Sequence, residues 1–94
     1  MTFAKRVDQN QKDVVKALRD AGAFVVDLSK VGKGVPDLLV TYSGHTILME
    51  VKNGEKAPFT KDQLEFMAKW TGGPLARVNS PEMAVGIINM LKKS

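Results

Sequence analysis

Three charged residues lie at the ends of the two most strand-like segments of the chain. Asp37 precedes the apolar run in "GVPDLLV", and Glu50 and Lys52 follow the one in "TILMEVK". The Ser43-Gly44 pair between the runs favours a tight hairpin turn, so the segments should pair antiparallel. With these two residues as the loop, Asp37 lies directly opposite Glu50, and strand alternation places Lys52 on the same face. The three side chains are therefore expected to share one patch.

Two carboxylates that face each other across neighbouring strands repel, since their Cβ atoms are about 5 Å apart. A shared proton, a neighbouring cation or a divalent metal with oxygen ligands relieves the repulsion. Lys52 neutralises only part of the charge, which leaves a metal as the best single explanation. A bound Mg²⁺ polarises a phosphate oxygen and activates a water, while a nearby Lys steadies that water or the transition-state charge. The Glu-x-Lys spacing alone also fits an ordinary solvated ion pair worth up to about 1 kcal/mol.

Together, "GVPDLL" and "ILMEVK" resemble the signature of the PD-(D/E)xK nuclease superfamily. The longer "GKGVPDLLV...HTILMEVKNGEKAPFTKDQLEF" is similar to its virus-type replication-repair nuclease (VRR-NUC) branch, small stand-alone versions of which occur in bacteriophages. The resemblance covers nearly the whole chain, from Gly22 to the "VNSPEMA" before the last helix. It implies a phage or bacterial protein, with residues 1–94 forming one PD-(D/E)xK nuclease (VRR-NUC) domain that has a restriction-endonuclease-like core and cuts DNA with a metal.

The resemblance also implies roles for individual residues. Asp37 and Glu50 would hold Mg²⁺ or Mn²⁺, with the backbone carbonyl of Val51 as a further ligand. Lys52 would serve the nucleophilic water, and Gln63, from the following helix, would help to orient the site. The stand-alone relatives imply a homodimer that cuts branched DNA such as four-way (Holliday) junctions, with one active site per strand.

The first helix departs from the family pattern. Many relatives carry an acidic residue there that points to the metal, whereas the aligned position here is Gln11, with Asp8 and Asp13 close by. Gln11 could coordinate through its amide oxygen or through a water, so the first-helix ligand is unassigned. Asp8-x-x-Gln11 and Thr60-x-x-Gln63 each also resemble a capping box, in which the glutamine only closes the helix start.

The balance of charge suits a polyanionic partner. Fourteen Lys and Arg residues against ten Asp and Glu residues give a net charge of +4, which favours binding to nucleic acid. Four lysines flank the acidic motifs and are expected to bind backbone phosphates with a steep salt dependence, although each also fits a solvated rim. They are Lys30, Lys33, Lys56 and Lys61. The chain lacks an aromatic-rich stacking face, which argues against a single-strand or RNA platform.

The elements that position these residues follow from the spacing of apolar residues. A first helix is predicted through "DQNQKDVVKALRDAGA", with Asp8 as N-cap and Gly22 as its stop. Two further helices are predicted, one from Thr60 to Gly72 and one after an N-cap at Ser80. Four strands are predicted over residues 23–28, 37–42, 46–52 and 74–78. The order α-β-β-β-α-β-α indicates an α/β fold, in which helices flank a central mixed sheet of about four strands.

The second helix is expected to bury its apolar side. Leu64, Met67 and Ala68 share one side of it, and Phe66 and Trp70 flank that side. Core packing is the default reading of such a stripe.

Composition excludes several classes of function. The chain has no Cys, which rules out thiol chemistry and Cys-based zinc sites. No apolar run approaches the roughly 20 residues of a membrane span, and the start "MTFAKRVDQNQKD" lacks the apolar region of a signal peptide. We therefore expect an intracellular, cytoplasmic protein without a membrane partner. The alternatives to an enzyme are a nuclease-like module that binds DNA without cutting it and a structural or inhibitor protein; the opposed carboxylates favour catalysis.

Overall fold

The architecture is α/β, as predicted, and the elements follow in the predicted order. The computed structural model describes the backbone of residues 2–54 and 56–93 and the side chains of residues 9–54 and 56–93. The helices are α1 (Thr2–Asp20), α2 (Lys61–Lys69) and α3 (Pro81–Lys92). The strands are β1 (Phe24–Asp27), β2 (Leu38–Tyr42), β3 (His45–Val51) and β4 (Leu75–Val78). Within these described residues no helix has the length and apolar character of a membrane span.

The four strands form one mixed sheet in the order β1-β2-β3-β4. The first two pairings are antiparallel, and β3 and β4 are parallel, because the chain returns through α2 before it forms β4. Ser43 and Gly44 make the β2–β3 turn with φ of 52° and 82°, the positive values that a two-residue hairpin turn requires. Tyr42 pairs with His45 across this turn, so the predicted hairpin and its register are confirmed.

The hydrophobic core lies between one face of the sheet and helices α1 and α3, which also pack against each other. α1 contributes the fully buried Val14 and Leu18, and α3 contributes Ala84 and Ile88. The four-residue spacing within each pair is that of an apolar helix face. Alternate positions of the strands supply the other side of the core, namely Val25, Leu38, Val40, Ile47, Met49, Val51 and Val78.

The first helix is longer than predicted at its start and ends where predicted. α1 begins at Thr2, so Asp8 lies inside the helix and the prediction of an N-cap there is wrong. Residues 2–8 include no Gly or Pro, the residues that would keep the helix from starting before Asp8. At the other end Gly22 has a φ of 100°, and the N–H of Ala23 donates to the carbonyl of Leu18 at 3.0 Å. This is the Schellman ending that a C′ glycine favours.

The second helix is shorter than predicted. It ends at Lys69 with Trp70 as C-cap, not at Gly72. The indole of Trp70 turns back over this glycine, where a Cβ would lie 2.5 Å from the ring atom Cζ2. The indole Nε1 also donates to the carbonyl of Gly73 at 2.9 Å. Gly72 therefore makes room for the Trp70 ring and does not terminate the helix.

The expectation that α2 buries its apolar side is also wrong. Leu64 is 52% exposed, Ala68 is exposed, and no residue of α2 is buried. Phe66 stacks on Trp70 with ring centroids 5.6 Å apart, so these rings cover each other outside the core. The partly buried side chains of α2 are Gln63, Phe66 and Met67.

Candidate active site

The register of the hairpin brings Asp37 and Glu50 together. Leu38 pairs with Met49, so the next step along both strands places Asp37 opposite Glu50, as predicted. The N–H of Val51 donates to Asp37 Oδ2 at 2.9 Å, and the charge of Asp37 is close enough to raise the pKa of Glu50. The acidic pair therefore lies at the end of the β2–β3 ladder.

Burial raises the pKa of both acidic residues. Glu50 is only 6% exposed, and burial followed by the charge of Asp37 raises its pKa from 4.5 to about 7, against the opposing charge of Lys52. Burial also raises the pKa of Asp37, while the hydrogen bond from the N–H of Val51 lowers it. A proton shared by the pair, or a cation held between the carboxyl groups, would relieve the repulsion between the two carboxylates.

The carbonyl of Val51 faces the acidic side of β3. In an extended strand the N–H and C=O of one residue point to the same neighbouring strand, and the N–H of Val51 is bonded to Asp37. The following residue, Lys52, turns its N–H the other way, to the carbonyl of Val78 at 2.8 Å. The main-chain oxygen predicted as a metal ligand thus lies on the same side as Asp37.

Gln63 connects the acidic and the basic residue of the β3 motif. Its Nε2 donates to Glu50 Oε2 at 2.7 Å, and its Oε1 accepts from Lys52 Nζ at 2.7 Å. Lys52 Nζ lies 3.8 Å from Glu50 Oε2, and its side chain is 12% exposed. The opposite charges on the two sides fix the orientation of the amide, since a flipped amide would present a donor to the ammonium and an acceptor to the carboxylate.

The same glutamine closes the start of α2. Thr60 Oγ1 accepts from the N–H of Gln63 at 3.2 Å, and Gln63 Oε1 accepts from the N–H of Thr60 at 2.9 Å. These reciprocal bonds form a capping box. The capping role and the contact with Glu50 and Lys52, which are alternatives at the level of sequence, occur together in one side chain.

Two residues beside Lys52 are absent from the set predicted from the sequence. The centroid of the Phe59 ring lies 5.5 Å from Lys52 Nζ and 5.9 Å from the Arg77 guanidinium carbon. Such distances are those of cation–π contacts. The sequence signal for Phe59 is its position one residue before the Thr60 cap, and the signal for Arg77 is a lone charge within the "PLARV" strand.

Arg77 pairs with Glu50 in the β3–β4 ladder, but its guanidinium does not neutralise that carboxylate. It donates instead to the carbonyls of Gly54 and Ala57, both at 2.8 Å. These bonds hold the segment after β3 against β4. Of the cations whose side chains the structure describes, only Lys52 forms an ion pair with Glu50.

Gln11 and Asp13, two of the candidate ligands on α1, contact side chains other than those of the acidic pair. Gln11 Nε2 donates to Asp27 Oδ2 at 3.2 Å, and Asp13 accepts a hydrogen bond from a neighbouring glutamine of α1. The side chain of Asp8 lies outside the described residues. Asp27 is near enough for its charge to contribute to the raised pKa of Asp37. In the parts of the chain that the structure describes, no three acidic or His side chains form one metal-binding group.

The four lysines predicted to bind DNA lie on three exposed segments of the chain. All four side chains are exposed: Lys30 and Lys33 before β2, Lys56 after β3, and Lys61 at the start of α2. Lys33 lines a cleft of about 350 Å³ together with Asp62 and Glu65, which weakens the positive potential at that point. None of the four forms an ion pair with Asp37 or Glu50.

A larger groove, of about 580 Å³, runs along α1 between Lys12 and Ser29. Two of its cations have local partners: Lys16 pairs with Asp20 at 2.8 Å, and Arg19 donates to the carbonyl of Val25 at 3.1 Å. The groove does not contain the acidic pair. The chemistry-bearing residues therefore lie at the end of the β2–β3 ladder and not in this groove.

Comparisons of the chain with known protein families, with curated proteins and with solved structures find no match. The likeness to VRR-NUC nucleases rests on the sequence motifs alone.

Proposed function

We propose that the protein is a metal-dependent, structure-selective DNA endonuclease of the PD-(D/E)xK type that hydrolyses phosphodiester bonds. The observation that supports this most directly is that Asp37 lies opposite the buried Glu50, with Lys52 on the same face. A binding module or a structural protein has no use for two opposed carboxylates at the end of a hairpin, where they lower stability. Catalysis by a metal-dependent nuclease gives them a purpose.

The donor set suits Mg²⁺ or Mn²⁺, which prefer oxygen ligands from one or two carboxylates and complete their shell with water. One oxygen of each carboxyl group is engaged, Asp37 Oδ2 by the N–H of Val51 and Glu50 Oε2 by Gln63. Asp37 Oδ1, Glu50 Oε1 and the carbonyl of Val51 would hold the ion. When bound, the ion polarises a phosphate oxygen and lowers the pKa of a coordinated water.

The other polar residues of the site act on the water and on the developing charge. The Lys52 ammonium is held by Gln63 and lies on the Glu50 side of the pair, where it steadies the attacking water and the negative charge of the transition state. The water attacks phosphorus in line with the leaving 3′ oxygen. Gln63 keeps Lys52 in place, which is the contribution expected of a positioning residue.

A homodimer bound to branched DNA, such as a four-way junction, completes the proposal. Lys30, Lys33, Lys56 and Lys61 bind backbone phosphates around each site, so affinity falls steeply with salt. The small stand-alone relatives that the sequence resembles suggest a second copy of the chain as partner. Two active sites then cut one strand each, within the cytoplasm.

The test is incubation of labelled four-way junction, flap and linear duplex with Mg²⁺ or Mn²⁺, and with chelator. We expect metal-dependent cuts that disappear in Asp37→Ala and Lys52→Ala but persist in Lys92→Ala, which removes an exposed cation of α3. Junction binding without cuts would support the inactive DNA-binding module, and neither binding nor cuts would refute both functions. Sedimentation that finds a monomer at the assay concentration would refute the homodimer and leave the chemistry standing.

A further inference from the structure

The loop between β1 and β2 rests main chain to main chain on the start of α2. A Cβ at Gly34 would lie 2.8 Å from the amide nitrogen of Gln63, and closer still to the carbonyl of Asp62. Both separations are well inside van der Waals contact, so only glycine fits. Gly34 also has a φ of 81°, a left-handed conformation that side chains disfavour.

Gly34 belongs to a left-handed turn. Gly32, Lys33 and Gly34 have φ of 77°, 56° and 81°, and the N–H of Val35 donates to the carbonyl of Gly32 at 3.1 Å. A run of three such residues is unusual, and for Lys33 the conformation is strained. Strain of this kind persists only where the surroundings maintain it, and the contact of Gly34 with α2 is one such constraint.

This contact joins the two halves of the candidate site. On one side the chain continues from Gly34 through two residues to Asp37. On the other side lies the main chain of Gln63. The side-chain amide of this residue contacts Glu50 and Lys52, at 2.7 Å each. Because α2 has no buried residue, core packing does little to fix where its first turn lies. The contact at Gly34 remains as a direct main-chain constraint on that turn.

We propose that Gly34 is a positioning residue: its main-chain contact fixes the first turn of α2, and so holds the amide of Gln63 between Glu50 and Lys52. The kinetic part of this inference rests on the proposed nuclease function, whereas the structural part does not. If the start of α2 shifted by the width of one methyl group, the side-chain amide of Gln63 would move by a comparable distance. Displacements of about 1 Å in positioning groups can lower rates by a factor on the order of 100.

The loop itself offers a matched control. Gly34→Ala and Gly32→Ala both place a side chain at positive φ in the same turn, so they carry a similar backbone penalty. A Cβ at Gly32 meets no atom within 4 Å, whereas at Gly34 it meets α2. The difference between the two variants therefore reports the contact with α2 and not the loss of a glycine.

The first measurement needs neither metal nor DNA. In ¹⁵N-labelled protein, the side-chain amide signals of Gln63 are assigned by their loss in Gln63→Ala. We expect Gly34→Ala to move these signals toward those of a solvated glutamine, and Gly32→Ala to leave them in place. Unmoved signals in Gly34→Ala would overturn the proposal.

The second measurement is a double-mutant cycle on single-turnover cleavage of a four-way junction. Gly34→Ala should lower the cleavage rate at least about tenfold more than Gly32→Ala, with similar affinity for DNA, as for a group that acts in the transition state. In a Gln63→Ala background that extra loss should disappear, because the two residues act as one unit. Persistence of the extra loss in this background would show that Gly34 does not act through Gln63.

Folding of the variants and activity of the wild type are controlled separately. If Gly34→Ala melts below the assay temperature, both glycine variants are compared in trimethylamine N-oxide, which favours the folded state. Failure of Gly34→Ala alone to fold there would make Gly34 a folding residue and refute the positioning role. If the wild type cuts no DNA, the proposed function fails, while the NMR comparison still decides the role of Gly34.

Discussion

The burial of Glu50 leads to a quantitative prediction about stability and pH. Its pKa rises from 4.5 to about 7 on folding, so the folded protein binds this proton more tightly than the unfolded chain does. The associated stability is fully present below about pH 4.5, falls as pH rises through about 7, and is constant above that. A shift of this size corresponds to roughly 3 kcal/mol between the two ends of the window.

Glu50→Gln removes the cost of ionisation. The amide oxygen of the new side chain still accepts from Gln63, while no carboxylate is left to ionise beside Asp37. Relative to the wild type, the free energy of unfolding of the variant should increase by roughly 3 kcal/mol between about pH 5 and about pH 8. For a chain of this length that corresponds to a relative change in melting temperature on the order of 10 to 20 °C.

Urea titrations at both pH values, with chelator present and followed by far-ultraviolet circular dichroism, measure the effect. Glu65→Gln, which neutralises an exposed carboxylate of α2, should show no comparable pH-dependent gain. Mn²⁺ should stabilise the wild type near pH 8 and the Glu50→Gln variant much less. If Glu50→Gln is destabilised equally at both pH values, its carboxylate is stabilised by Lys52 and Gln63, and the argument that this site calls for a cation fails.

Three further substitutions test other parts of the molecule. Lys52→Met should lower the cleavage rate at least about a hundredfold with little change in DNA affinity; a loss confined to affinity would contradict its role. Arg77→Ala removes two hydrogen bonds to carbonyls and should lower the free energy of unfolding by about 1 to 3 kcal/mol in urea titration. The cleavage rate should also fall, because Arg77 contacts Phe59 and Phe59 contacts Lys52; an unchanged rate would show that Arg77 does not act on the site. Ser80→Ala should cost about 1 kcal/mol as a lost N-cap and leave the rate per folded molecule unaltered, whereas a reduced rate would connect α3 to the chemistry.

The hairpin and the positions of Asp37, Glu50 and Lys52 were predictable because they depend on local rules. The turn residues Ser43 and Gly44 select a short loop, and β2 buries alternate side chains, so a slip of one residue would turn its buried face outward. Together these conditions leave one register. The activity, the metal, the DNA substrate and the homodimer stay predictions.

The orientation of α2 was not predictable from its apolar pattern. Leu64 lies on the side that periodicity favours, but the polar contacts of Gln63 and the stacking of Phe66 on Trp70 determine which side faces the protein. The contribution of Arg77 depends on a parallel register between strands separated by α2, and no local turn fixes that register. Contacts that form across such long connections leave little trace in a single sequence.

Because α2 buries no side chain, the proposed nuclease activity should be lost before the protein unfolds globally. A helix with no buried residue opens at a small fraction of the global unfolding free energy, and Gln63 would leave Lys52 whenever this segment frays. Mild heating should therefore inactivate the protein reversibly while the sheet and its two packed helices keep their circular dichroism. A heat-resistant variant would come from fixing α2 to the rest of the protein. Better packing of the hydrophobic core would stabilise only the part of the molecule that unfolds last.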